Sequence, residues 1–303
     1  MTDTAIRTRP KNRVLINKRI APYIFLLPFL LFFFAFLIVP LAYAFELSIY
    51  KTTLVGGTRF VGAANYVKAF ADPKFWDGVL TLFKFGAMQI PVMLGLALLF
   101  ALILDSGVVY AKSFFRISFF IPYAVPAVIA TLMWGYLYGP AYGPLTQIAD
   151  ALSLPRPNFF SDKSVLPAIA NIAVWEYMGY NMIIYFAALQ SIPTDLEEAS
   201  QMDGASAYTF ATRIKLPMIV PTIIITIIFS IIGTLQLFAE PYLMINLARN
   251  VINSNYTPNL YAYTLAFTAQ QISYSAAISF VLGGVVAVVS YAFMLLVNRG
   301  ENR

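Results

Sequence analysis

Between Pro193 and Pro217 the chain reads P-T-D-L-E-E-A-S-Q-M-D-G-A-S-A-Y-T-F-A-T-R-I-K-L-P, a polar island with long apolar runs on both sides. Four of the 14 acidic residues, Asp195, Glu197, Glu198 and Asp203, fall inside it. Thr194 with Glu197 three residues on predicts a capping box, in which two side chains satisfy the free N–H groups of a helix start. Gly204 is expected to break that first helix, and a second helix to run toward Pro217. Joining two membrane spans takes only a few polar residues. An island with its own helices and a glycine break reads instead as a docking element.

The flanking runs set the fold class. Of 303 residues, 60% are hydrophobic and 11% charged, where soluble domains carry about 25% charged residues. A spanning helix needs about 20 apolar residues. Six segments meet that need, near 21–45, 78–104, 114–138, 164–190, 217–238 and 272–297. The expected fold is all-α: a polytopic membrane protein with six transmembrane helices over 21–298. A basic tail, 1–20, precedes it and a short tail, 299–303, follows. We find no internal repeat and no low-complexity linker.

Lysines and arginines sort by side. Arg7, Arg9, Lys11, Arg13, Lys18, Arg19, Lys112, Arg116, Arg213, Lys215, Arg299 and Arg303 fall on one side. Lys51, Arg59, Lys68, Lys74, Arg156, Lys163 and Arg249 fall on the other, over longer loops. The bias puts both termini and the 193–217 island in the cytoplasm. It also explains the net charge of +6 without nucleic acid, because the basic residues gather before a span. Lys84, near the outer end of the second segment, is expected to snorkel to the surface.

Ala42-Tyr43-Ala44 has the look of a signal-peptidase site, but the apolar run before it exceeds the ~7–15 residues of a signal peptide. Prolines punctuate three segments at Pro28, Pro40, Pro91, Pro122 and Pro126. Each frees backbone groups that must find partners inside protein. They read as tolerated kinks or as bends lining a pathway that opens and closes.

Cysteine and histidine are both absent. That removes disulfides, thiolate metal sites and histidine as base or ligand. The dipeptide Gly-Lys does not occur, so there is no phosphate-binding loop of the G-x-x-x-x-G-K-[ST] kind. No catalytic residue, metal ligand set or cofactor is expected in this chain. Of the carboxylates, only Glu176 falls near the middle of an expected span, where a charge is expensive and suggests function. Around it lie Trp175, Tyr177, Gly179, Tyr180 and Asn181. Helical spacing sets Glu176 with Tyr180 and Tyr177 with Asn181 on adjoining faces. Aromatic rings beside hydrogen-bonding groups suit a carbohydrate, with its apolar C–H faces and rim of hydroxyls. Gln236 adds to such a surface. The competing reading is a polar cluster that joins helices, with the tyrosines and Trp175 as ordinary packing.

From about Pro22 to Asn298 the chain resembles the permease subunits of ATP-driven ABC importers, in the carbohydrate-uptake branch of maltose and glycerol-phosphate type. The island carries the resemblance most specifically, through Glu198-Ala199, Asp203-Gly204-Ala205, Phe210, Ile214, Leu216 and Pro217. Arg116, Pro122, Pro126 and Trp134, the W-E-Y-M-G-Y-N passage, and the stretch from Thr257 to Ser279 are also similar. Ser200 stands where the family has a second alanine. The ending V-N-R-G-E-N-R lacks the glycine-lysine tail of the second permease of such pairs, which points to the first type.

The resemblance implies a bacterial or archaeal plasma-membrane complex. It holds a second related permease, two ATPase subunits that carry ATP and Mg, and an extracytoplasmic solute-binding protein. The island would be the coupling loop, with Glu198, Ala199, Asp203, Gly204, Ala205 and Phe210 as its contact residues. Trp175, Glu176, Tyr177, Tyr180, Asn181 and Gln236 would line the sugar path. The rival is a secondary transporter driven by an ion gradient, with Glu176 as its proton or cation site. A membrane-embedded enzyme is weaker still, since paired intramembrane carboxylates, histidines and cysteines are missing.

Overall fold

The computed structural model describes residues 21–53 and 56–301. The basic tail 1–20 lies outside these residues, as do the last two residues of the short tail. The chain divides into two units, at Leu47 and Ser48. The first is one apolar helix: α1 (Ala21–Phe33), a wide π-turn (Phe34–Ile38) and α2 (Val39–Ser48). Over Pro22–Ser48 its mean hydropathy is 2.9. Apolar side chains are exposed along it, which suits contact with lipid. The π-turn stands just before Pro40, whose ring presses on the carbonyl four residues back in a regular helix.

The second unit opens with an antiparallel hairpin, β1 (Tyr50–Thr53) and β2 (Gly57–Phe60), with Tyr50 opposite Phe60. Short α3 (Ala64–Phe70) leads to the long α4 (Pro73–Asp105), which tolerates Pro91 inside it. Next come α5 (Lys112–Phe120), a 3₁₀ turn (Ile121–Ala124), α6 (Ala127–Leu137) and α7 (Pro144–Ala151). Then α8 (Val165–Gln190) lies along α4 in the same direction, start beside start and end beside end. The island forms α9 (Thr194–Met202) and α10 (Ala207–Phe210). A π-turn, Ala211–Lys215, carries α10 into α11 (Leu216–Thr234). The chain ends through α12 (Ala239–Met244), α13 (Pro258–Tyr263) and α14 (Ile272–Glu301).

Two apolar cores form along the α4–α8 pair. One joins Phe75, Val79 and Leu82 of α4 to Ile169 and Ile172 of α8, with Met244, Leu260 and Ile278. The other joins Met93, Ala97 and Ala101 to Met182, Tyr185, Leu189 and Ile219. Between them, near the middle of α4, sits the buried polar Gln89. A polar layer between two dry cores is where a pathway can pass without leaving backbone groups in lipid.

The count of six expected spans is not confirmed, and one of them takes a different form. Four helices of the described residues are long and apolar enough to cross a membrane, or five with one bent pair. The expected third span is that pair. Lys112–Ala124 and Ala127–Leu137 meet at 96°, because Val125, ahead of Pro126, is pushed to extended backbone. The expected fourth span is α8, which is not among those helices. Its polar middle dilutes its hydropathy, and burial of Ala173, Glu176, Asn181 and Met182 makes uniform apolarity unnecessary. Fold class holds as all-α.

The Asp72 end of α4 is tied down by charge. Tyr261 and Tyr274 donate hydroxyl hydrogens to Asp72 Oδ2 at 2.8 and 2.7 Å. Lys68 Nζ lies 3.8 Å from the Tyr274 ring centre. Burial pushes the Asp72 carboxyl up, but the bonds from Tyr274, Tyr261 and the Lys74 N–H, with the Lys68 charge, outweigh it and hold the group below its ordinary value. A lowered pKa gives stability that is full above the unfolded value and lost as pH falls through the folded one. Asp72→Asn should therefore lower thermal stability at pH 7, by on the order of 1 kcal/mol. The gap between variant and parent should shrink as pH falls through the lowered value of the carboxyl. A constant gap across that range, followed by melting in detergent, would refute the charge argument.

Candidate functional site

The polar layer between the cores opens into a cavity of about 560 Å³. Gln89 from α4, Tyr123 from the 3₁₀ turn, Tyr177, Tyr180 and Asn181 from α8, Thr234 at the end of α11, and Gln236 and Glu240 beyond it all reach its wall. Gln89 organises one side. It accepts a hydrogen bond from Thr234 Oγ1 at 3.1 Å, and its amide Nε2 lies 3.0 Å from the Met93 sulfur. Asn181 donates to the Tyr177 carbonyl at 3.0 Å. Tyr123 stacks on Tyr180, with centroids 4.6 Å apart, and meets Tyr177 edge-on at 6.0 Å. The three tyrosines are each more than a third exposed, so rings and hydroxyls face the opening.

Tyr123 arrives there because of the proline pair. Pro122 opens the 3₁₀ turn and Pro126 follows its end, so the helix breaks at the cavity. The pathway reading of these prolines has this geometry behind it. Pro28 lies in a helix interior and Pro40 in the first turn of α2, just after the wide turn.

Of the six residues singled out on α8 and just past α11, Tyr177, Tyr180, Asn181 and Gln236 line the cavity. Trp175 and Glu176 do not. Trp175 packs edge-on against Trp134, centroids 5.9 Å apart. Glu176 is buried, and its Oε2 has no hydrogen-bond partner. Sequence reasoning missed Tyr123, Gln89, Thr234 and Glu240. Gln89 had a signal, as the lone amide in the middle of the second apolar run. Glu240 fell just past the expected end of the fifth span at 238. The helix breaks after Thr234 and resumes at Ala239, burying Glu240.

The island is a second candidate site. Gly204 breaks it as expected, with φ +77° in the left-handed region. The capping box does not form: helix α9 starts at Thr194 itself, Pro193 takes the cap position, and no side chain bonds there. With threonine already inside the helix its hydroxyl cannot reach the N–H groups ahead of it. A cap forms at the other helix, where Ser206 Oγ accepts from Thr209 N–H at 3.2 Å. The second helix runs toward Pro217 as expected and passes into α11, where that proline sits in the first turn and its missing N–H is harmless.

Glu198, Ala199, Asp203 and Gly204 are exposed, and Ala205 is half-buried. Beside them Met202 and Tyr208 are 84% and 78% exposed, a combination of apolar and acidic groups suited to seating against a partner. Phe210 is buried, so it braces the island from beneath. Lys215 Nζ lies 4.9 Å from its ring centre and donates to Asp105 Oδ2 at 2.6 Å. Gln190 Nε2 donates to Asp105 Oδ1 at 2.6 Å. The ends of α4 and α8 and the start of α11 are thus fastened at one carboxylate. No group of three or more His, Cys, Asp or Glu suited to a metal occurs among the described residues.

Known proteins resemble this chain in sequence and in fold. The family described as "Binding-protein-dependent transport system inner membrane component" matches residues 67–300. The lactose transport system permease protein LacF of Rhizobium radiobacter is 30% identical, over 89% of this chain and 91% of its own. The arabinooligosaccharides transport system permease protein AraP of Bacillus subtilis is 29% identical, over 90% and 87%. The trehalose transport system permease protein SugA of Mycobacterium tuberculosis is 27% identical, over 97% and 94%. A chain in the crystal structure of a bacterial ABC transporter that imports the polysaccharide alginate has the same fold, with a TM-score of 0.78, 20% identity, and coverage of 93% and 96%.

Proposed function

We propose a function from one premise: this chain belongs to the family of binding-protein-dependent transport system inner membrane components. It is the permease subunit of a carbohydrate importer of the ABC class, located in the inner membrane. The ion-gradient alternative is not favoured, because the relatives are permeases of sugar transport systems. The observation that carries the reading is the cavity between the two cores. Its stacked Tyr123 and Tyr180 offer ring surface to sugar C–H faces, and Gln89, Asn181 and Gln236 offer amides to hydroxyls.

In this reading the chain works with a second permease, two ATPase subunits that hold ATP and Mg, and an extracytoplasmic binding protein. The island faces the cytoplasm and seats on an ATPase through Glu198, Asp203 and the exposed Met202 and Tyr208. Ala199 and Ala205 are small enough for close approach, and Gly204 makes the turn. Binding-protein delivery, ATP-driven closure and rocking of the spans then expose the cavity to each side in turn. This chain supplies path and lever, with no catalytic step of its own.

The test is uptake into proteoliposomes holding the complete transporter. Uptake should require ATP inside and persist when ion gradients are collapsed. Glu198→Ala should weaken ATPase retention by about 1.5–3 kcal/mol, the range for a hydrogen bond to a charged group. Uptake that follows a proton or sodium gradient without ATP would overturn the assignment.

A further inference from the structure

The cavity between the two cores carries a carboxyl and no counter-charge. Glu240 lines it beside Gln236, Tyr177 and Asn181, and among the described residues no lysine or arginine does. Glu240 is only 8% exposed, so it is held away from bulk water. Its own backbone N–H bonds its carboxyl, and among the described residues it enters no ion pair. A carboxylate accepts at about four lone-pair sites, so most of its capacity is left for something that enters the cavity. A second carboxyl stands behind the wall. Glu176 is 4% exposed, its Oε2 has no partner, and it lies within electrostatic reach of Glu240. It too enters no ion pair among the described residues. Buried carboxylates are expensive without a cation, and the cavity wall supplies amides, hydroxyls and rings instead.

We propose that Glu240 makes the cavity a charge filter, which holds an amino sugar most tightly, admits neutral sugars and turns away uronates and sugar phosphates. The inference rests on the carbohydrate reading above and narrows it to a substrate class. An ammonium group on the sugar supplies the missing counter-charge and makes a charge-assisted bond, roughly twice as strong as a neutral one. A neutral sugar still donates a hydroxyl hydrogen to the carboxylate, with Gln89, Asn181 and Gln236 left for its other hydroxyls. A carboxylate or phosphate on the sugar meets a like charge at short range. The walls there keep out the water and salt that would screen it. A carboxyl kept only to join helices would face a donor on a neighbouring helix, whereas this one lines the opening.

The experiment measures equilibrium binding of labelled sugars to the complete transporter in nanodiscs. The binding protein is left out so that its own selectivity does not enter. The probes are galactose, galactosamine, galacturonate and galactose phosphate, with the matching glucose set. In the parent the amino sugar should bind about tenfold tighter than the neutral one, as one charge-assisted bond implies, and the anionic sugars about tenfold weaker. The readout is the ratio between sugars, which a general loss of binding leaves alone. Glu240→Gln should flatten that order to within about threefold. Gln236→Lys, which places a cation in the same wall, should raise the anionic sugars above the amino sugar. Anionic sugars bound as tightly as neutral ones by the parent would place a counter-charge on the partner permease and overturn the filter. The parental order kept in Glu240→Gln would overturn the role of Glu240. ATP-driven uptake by the parent with its binding protein separates the two failures. A parent that carries a neutral sugar but lacks the order in binding loses the filter alone. A parent that carries no sugar loses the carbohydrate reading and the filter with it.

Discussion

Gly179→Ala should abolish transport and reduce recovery of the folded protein, although an alanine inside a helix usually helps. Replacing glycine by alanine in a helix interior gains about 1 kcal/mol of propensity. Here the gain is overwhelmed. An added Cβ at position 179 falls well inside van der Waals contact of the Phe119 carbonyl, with Phe120 N next at 3.1 Å. These are backbone atoms at the end of α5, so no side chain can rotate away. Helices α5 and α8 must part instead. Overpacking of this kind costs about 1–3 kcal/mol and occasionally more, and a clash with backbone belongs at the upper end. The damage reaches the cavity, because the displaced segment carries Tyr123 onto Tyr180. Thermal stability in detergent and sugar uptake are the measurements, with Ala187→Gly on the exposed face of the same helix as the control. Gly179→Ala with parental stability and uptake would mean that the two helices are not held this close.

Most of the architecture follows from one-dimensional information, and the failures have physical causes. Apolar run length places the helices because lipid leaves the backbone no other solution. Gly204 was legible because a helix break with positive φ suits glycine. The bend of 96° was not, since a proline pair inside an apolar run is compatible with a kink of any size until neighbouring helices fix it. The capping box failed over a single residue of register at Thr194, and helix ends are the least legible feature of a sequence. The W-E-Y-M-G-Y-N passage gave three cavity residues because aromatic and amide side chains within a span need a partner or an opening. It could not tell Tyr180, which faces the opening, from Trp175, which packs on Trp134, because both satisfy the same spacing. Gln89, Thr234 and Tyr123 come from other helices, and their convergence exists only in three dimensions.

The same limit hid the brace under the island. Lys215 counted as one more basic residue on the cytoplasmic side, and Asp105 fell just past the second expected span at 78–104. They are 110 positions apart, yet Lys215 Nζ and Asp105 Oδ2 lie 2.6 Å apart. The two side chains are only 12% and 5% exposed. A pair so enclosed is weak evidence for net stability, but breaking it leaves a buried charge, at about 3–5 kcal/mol. Its position gives it a mechanical consequence. Pressure on α9 passes through the π-turn to Lys215, and from there to the ends of α4 and α8 through Asp105 and Gln190. Lys215→Met keeps the methylene stem against Phe210 and removes only the charge. We expect that variant to insert and to retain the ATPases, because Glu198, Met202 and Tyr208 are untouched. Sugar carried per ATP should fall by about tenfold or more, as loss of even half the buried-pair energy from one transport state implies. The exchange Asp105→Lys with Lys215→Asp should restore part of it, which a packing defect alone would not allow. Parental uptake per ATP in Lys215→Met would show that the island drives the spans by another route.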